Sequence, residues 1–138
     1  MMPSLLPEPV AAPGPFGPAG KTSWPTLLVV DADEALARTL VCHFERRGFH
    51  VAAAGTLAEA QAFLERRKDW TLVIADCHLP DGTVWELEPW LKQQSPRPPL
   101  LLLSQNPRMV PEHTEAGFLL KPISLARIEA SVNRLTLK

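Results

Sequence analysis

The chain has 138 residues, with 14 lysines and arginines against 15 aspartates and glutamates and a formal net charge of -1. That length leaves room for one ordinary domain with a core of its own. The balanced charge offers no basic stripe to nucleic acid and no acidic tail, no apolar stretch is long enough to span a bilayer, and the N-terminus lacks the basic start and apolar run of a signal peptide.

Residues 1–25 hold seven of the fifteen prolines and three of the seven glycines. A segment of that composition buries too little apolar surface to offset its ordering entropy. It reads as a disordered or polyproline-like tail, followed by one domain over residues 26–138. Gly20-Lys21-Thr22 looks like the end of a phosphate-binding loop, but the first glycine that motif needs falls at Pro15. The segment also precedes the first strand instead of following one, so the motif is rejected. Pro13, Pro15 and Pro18 would suit an aromatic groove, although a plain leader accounts for them more simply.

Residues 27–30, Leu-Leu-Val-Val, form a short apolar run that stops at Asp31 and reads as a buried strand. Over residues 33–47, Leu36, Leu40 and Phe44 recur every fourth position, with Ala37 and Val41 beside them, which predicts a helix. Arg46 and Arg47 suit its last turn and Gly48 its stop. Residues 49–54 form a second strand. Thr56 followed by Glu59 is a capping box, opening a helix that buries Leu57, Ala60, Phe63 and Leu64.

The third strand, residues 72–76, ends in Asp76 and is followed at once by the turn signals Leu79-Pro80 and Asp81-Gly82. Thr83 and Glu86 open a further helix to about residue 94, inside which Pro89 forces a kink or a restart. Residues 100–103 make a fourth strand, ending at Ser104. Pro107 and Pro111 permit only a turn or two of helix between Ser104 and Phe118. Residues 118–120 make a short fifth strand before Lys121-Pro122. Ser124 then caps a last helix with Leu125, Ile128, Val132 and Leu135 on one face. Cys42 and Cys77 form no metal-ligand motif and read as reduced core thiols of a cytoplasmic protein.

Strands alternating with helices imply an α/β fold, a doubly wound parallel sheet covered on both sides. Four strand ends then carry polar groups on one edge of it: Asp31, Asp76, Ser104 and Lys121. Two carboxylates suit a hard divalent cation such as magnesium. A hydroxyl and an ammonium suit the equatorial oxygens of a phosphoryl group. The chemistry implied is phosphoryl transfer onto an aspartate.

The pieces LLVVDADEAL, LVIADCHLPDG, LLLLS and FLLKP, taken together, resemble the receiver domain of two-component response regulators, over residues 26–137. The resemblance implies a five-stranded parallel sheet of flavodoxin-like order 2-1-3-4-5. It implies that Asp76 is the phosphoacceptor, that Asp31, Asp76 and the backbone carbonyl of His78 hold Mg2+, that Ser104 and Lys121 contact the phosphoryl group, and that Phe118 is the switch aromatic. Lys121-Pro122 would be a cis peptide bond. A histidine kinase or phosphotransfer protein would donate the phosphoryl group to a cytoplasmic protein that signals through a downstream partner. No enzyme activity is expected beyond self-catalysed phosphorylation and dephosphorylation of Asp76.

The chain also departs from that family. Ala32 stands where the second acidic residue of the pair belongs, which predicts weak magnesium binding. Gln105 replaces a small residue beside the pocket and narrows access to it. Val84 replaces a glycine. Seventeen positions separate Ser104 from Lys121, too few for a full fourth helix, so that helix is expected to be truncated or missing. The partner surface would then differ from the usual one, with apolar area open to a partner or a homodimer.

Two rival readings remain open at this point. A phosphorylation-independent pseudo-receiver, acting as a protein-interaction module, would explain Ala32 and Gln105. A haloacid-dehalogenase-like phosphatase would use Asp31 as nucleophile and Asp33, the second aspartate of a DxD pattern, as general acid/base. Against the latter, Glu129 is the only carboxylate after Lys121, and no cap domain fits. No helix-turn-helix or output domain follows the last helix, so a stand-alone receiver and a piece of a longer protein both fit.

Overall fold

Apolar runs that end in a polar residue become the inner strands of one parallel sheet. The computed structural model describes residues 24–105 and 117–136. The expectations for Pro13, Pro15, Pro18 and Gly20-Lys21-Thr22, and for Pro107 and Pro111, lie outside those residues. In chain order the elements are β1 (Thr26–Val30), α1 (Glu34–Arg46), β2 (His50–Ala54), α2 (Leu57–Arg66), β3 (Leu72–Asp76), β4 (His78–Leu79), β5 (Gly82–Thr83), α3 (Glu88–Lys92), β6 (Leu100–Ser104), β7 (Gly117–Leu120) and α4 (Leu125–Thr136). The sheet order is β2-β1-β3-β6-β7, all parallel. With β4 and β5 set apart as a small ribbon, this is the expected order 2-1-3-4-5. Four α-helices lie among the described residues; the expectation of a truncated or missing fourth helix falls on residues outside them.

Successive residues of a strand face opposite sides of a sheet, and here both sides are covered. Leu28, Val30, Val73, Ala75 and Leu102 pack with Leu57, Phe63 and Leu64 of α2 and with Leu91 of α3. Leu27, Val29, Ile74, Leu101 and Leu103 pack with Leu40 and Phe44 of α1 and with Ile128 and Val132 of α4. Two-sided burial is why these strands read as unbroken apolar runs instead of alternating ones.

Local signals set the helix ends. Asp33 caps α1, its carboxylate accepting from the Ala35 and Leu36 N–H groups, and Gly48 follows the helix with φ +96°, where a Cβ would be strained. The helix expected after residue 83 starts as a 3-10 turn over Val84–Leu87 and restarts as α3, with Pro89 in the first turn of the restart. Ser124 Oγ accepts the Arg127 N–H at the start of α4.

Some arrangements differ from expectation. Thr56 caps α2, but Glu59 reaches back to the Gly55 N–H at 2.7 Å, one residue before the N-cap. The turn signals at Pro80-Asp81 close an antiparallel ribbon, β4 against β5. Cys42 is exposed, so only Cys77 is a core thiol. The peptide bond Ser95-Pro96 is cis as well as Lys121-Pro122. Gln94 is buried: its amide donates to the carbonyls of Leu64 and Arg67 and accepts the Trp70 N–H, satisfying the end of α2. Trp24 and Pro25, inside the expected tail, already touch the sheet, with Pro25 accepting the His50 N–H at 2.8 Å.

Candidate functional site

The register brings the four strand ends together. Val30 pairs with Ala75, Asp76 with Leu103, and Ser104 with Leu120, so Asp31, Asp76, Ser104 and Lys121 all lie at the C-terminal edge of the sheet. That edge is where ligands collect in open α/β folds.

Asp31 is fixed from three sides. Its N–H donates to the Ala54 carbonyl at 2.9 Å, its Oδ1 accepts the Asp33 N–H at 2.9 Å, and its Oδ2 takes the Lys121 ammonium at 2.9 Å. The same ammonium lies 3.2 Å from Asp76 Oδ2. Lys121 is held in turn by its own N–H on the Ser104 carbonyl, at 2.8 Å. Burial works against a charged Lys121, but the hydrogen bond and charge of Asp31, with those of Asp76, outweigh it and hold its pKa above the ordinary lysine value.

The two carboxylates are not equivalent. The Asp31 side chain is 2% exposed and that of Asp76 is 20% exposed. Only Asp76 presents an oxygen to a reagent arriving from solvent. Its Oδ1 faces the His78 N–H at a long 3.5 Å, so it is barely engaged by the protein.

Ser104 is 2% exposed. Burial, then the charge of Asp76, pushes the pKa of the buried Cys77 thiol up and keeps the thiol protonated, while the Ser104 hydroxyl acts to lower it. Phe118 is half-buried against the core, Val84 is fully inside it, and His78 and Ala32 are exposed. Gln105 lines a cavity of about 470 Å³ together with Asp33, Leu36, Lys121, Pro122, Ile123 and Ile128, so that the cavity reaches Lys121.

The residues fit a divalent cation only in part. Asp31, Asp76 and the His78 carbonyl supply oxygen donors of the hard type magnesium takes. Ala32 contributes none, and Asp33 spends its Oδ1 on the cap of α1. Among the described residues no three His, Cys, Asp or Glu side chains group as a metal site. The cap on Asp33 also weakens the phosphatase reading, which needs that carboxylate as a free general acid/base. Sequence reasoning missed Asp81, whose carboxylate accepts the Leu57 and Ala58 N–H groups at 2.8 and 3.1 Å; nothing local signals a cap 24 residues away.

A family model described as the response regulator receiver domain matches residues 27–133. The photosynthetic apparatus regulatory protein RegA of Rhodovulum sulfidophilum is 32% identical over 80 residues, 58% of this chain; the match spans 43% of that relative's length. Among solved structures, the non-phosphorylated HemR receiver domain of Leptospira biflexa is 30% identical, with a TM-score of 0.72 over 83% of this chain and 95% of that one. A response regulator protein of Burkholderia pseudomallei, solved with a phosphorylated aspartic acid, a calcium ion and citrate, is 27% identical with a TM-score of 0.64, over 78% of this chain and 65% of that one.

Proposed function

Because the chain belongs to the response regulator receiver domain family, we propose that it acts in two-component signalling by accepting a phosphoryl group on Asp76. The observation that carries this reading is the Lys121 ammonium shared by the buried Asp31 and the accessible Asp76. Asp76 is thereby oriented while one of its oxygens stays open.

In the transfer, an Asp76 carboxylate oxygen attacks phosphorus. The P–O bond forms as the bond to the donor breaks; with a phosphohistidine donor the imidazole leaves with the electron pair and takes up a proton. Charge develops on the equatorial oxygens, where the Lys121 ammonium and the Ser104 hydroxyl can meet it. A magnesium ion held weakly by Asp31, Asp76 and the His78 carbonyl would supply further neutralisation of that charge. The donor is a histidine kinase or phosphotransfer protein, and the output is binding to a downstream partner, with Phe118 reporting the state of the site. A cytoplasmic setting agrees with the two free cysteines; no helix among the described residues is long and apolar enough to cross a membrane.

Incubation with magnesium and a small acyl phosphate, followed by peptide mass mapping, tests the reading. One phosphate should appear on the peptide carrying Asp76, disappear in Asp76→Asn and diminish in Asp31→Asn. A protein that stays unlabelled with both a small donor and a cognate kinase is an interaction module instead.

A further inference from the structure

We propose that the stack of Trp24 on His50 is a proton-operated latch, which fastens the chain before β1 onto edge strand β2 and opens when His50 takes up a proton. The inference concerns the opposite edge of the sheet from Asp76 and does not depend on phosphorylation.

His50 is the first residue of β2, paired with Thr26 at the start of β1. Its ring is covered by the Trp24 indole, with centroids 5.0 Å apart and planes at 35°. The residue is 7% exposed, and its Nε2 is buried with no hydrogen-bond partner among the described residues. A neutral imidazole tolerates such a site as a largely apolar ring under another. A protonated one does not, because both ring nitrogens become donors and the cation needs water or an acceptor.

The surroundings set the direction. Burial, and then the positive charge of Arg67 at the end of α2, hold the His50 pKa below its ordinary 6.5, while Glu45 on α1 pulls weakly the other way. Arg67 is itself paired with Asp69, at 2.7 Å. A pKa depressed by folding means that protonation favours whichever state exposes the ring. The contact is therefore complete above pH 6.5 and is lost as pH falls through the folded-state value.

Residue-resolved NMR of the full chain between pH 8 and pH 4.5 tests this. The His50 ring and the Trp24 indole N–H should shift together, with one midpoint below 6.5. The Trp70 indole N–H, bonded to the Phe63 carbonyl in the core, should not move. His50→Phe, which keeps a ring under the indole, should remove the Trp24 titration. Trp24→Ala should uncover the ring and move the His50 midpoint up toward 6.5, which decides the matter if His50→Phe fails to fold. A Trp24 signal that ignores His50 titration, a His50 midpoint unchanged in Trp24→Ala, or a Trp70 signal moving in step would each overturn the latch.

Discussion

The ammonium of Lys121 sits 2.9 Å from Asp31 and 3.2 Å from Asp76. Asp31, the more buried and closer partner, anchors the cation, and Asp76 shares it from the solvent side. An acidic pair with its own cation close to both members has two consequences, for stability and for metal binding.

Removing the cation leaves the buried Asp31 side chain without its ion-pair partner. Breaking a buried pair by deleting one partner costs about 3–5 kcal/mol; partial exposure of Lys121 puts Lys121→Met near the lower figure. Denaturant unfolding should show this loss, and Asp31→Asn combined with Lys121→Met should recover part of it. Equal stability of wild type and Lys121→Met would mean that the ion pair is not formed in solution.

The magnesium site should be restored by one carboxylate. A charged contact is worth on the order of 1–3 kcal/mol, so Ala32→Asp should bind magnesium about 5–150-fold more tightly and accept phosphate faster. Calorimetry, or emission from the half-exposed Trp85, follows the titration. If neither affinity nor rate changes, the pocket is limited by something other than the missing ligand.

Asp33 should prove a helix cap and nothing more. Asp33→Ala should cost about 0.5–2 kcal/mol of stability and leave phosphate acceptance on Asp76 intact. Loss of phosphoryl chemistry at unchanged stability would instead revive the phosphatase-like role for that carboxylate.

Alkaline pH should erase the contribution of Lys121. Its folded-state pKa is raised above 10.5, so its stabilising effect is fully present below 10.5 and fades as pH climbs through the folded value. The stability difference between wild type and Lys121→Met should therefore be flat from neutrality to about pH 10 and shrink beyond it. The chain has no tyrosine to titrate in that window.

The sheet was legible because β1, β3 and β6 are buried on both faces, which leaves short apolar runs closed by Asp31, Asp76 and Ser104. The helices were legible from fourfold spacing, as in Leu36, Leu40 and Phe44, and Pro89 marked the restart of α3. What sequence could not convey is distance. Lys121 follows β7, yet it reaches past the end of β6 to carboxylates at the ends of β3 and β1, a relation that exists only once the strand order is set. Gln94 gives no hint of burial, because the groups it satisfies are carbonyls at the end of another helix. The ribbon of β4 and β5 has two residues per strand, too few for any periodicity to register.

Asp81 lies five positions after Asp76 and holds the first turn of α2 through the Leu57 and Ala58 amides. The loop that follows Asp76 and a helix on one face of the sheet are thus tethered by a single carboxylate. Proton–deuterium exchange at those two amides becomes a remote gauge of that loop. Any chemistry that displaces residues 77–82 should quicken exchange at Leu57 and Ala58 while the core amides of β3 keep their pace.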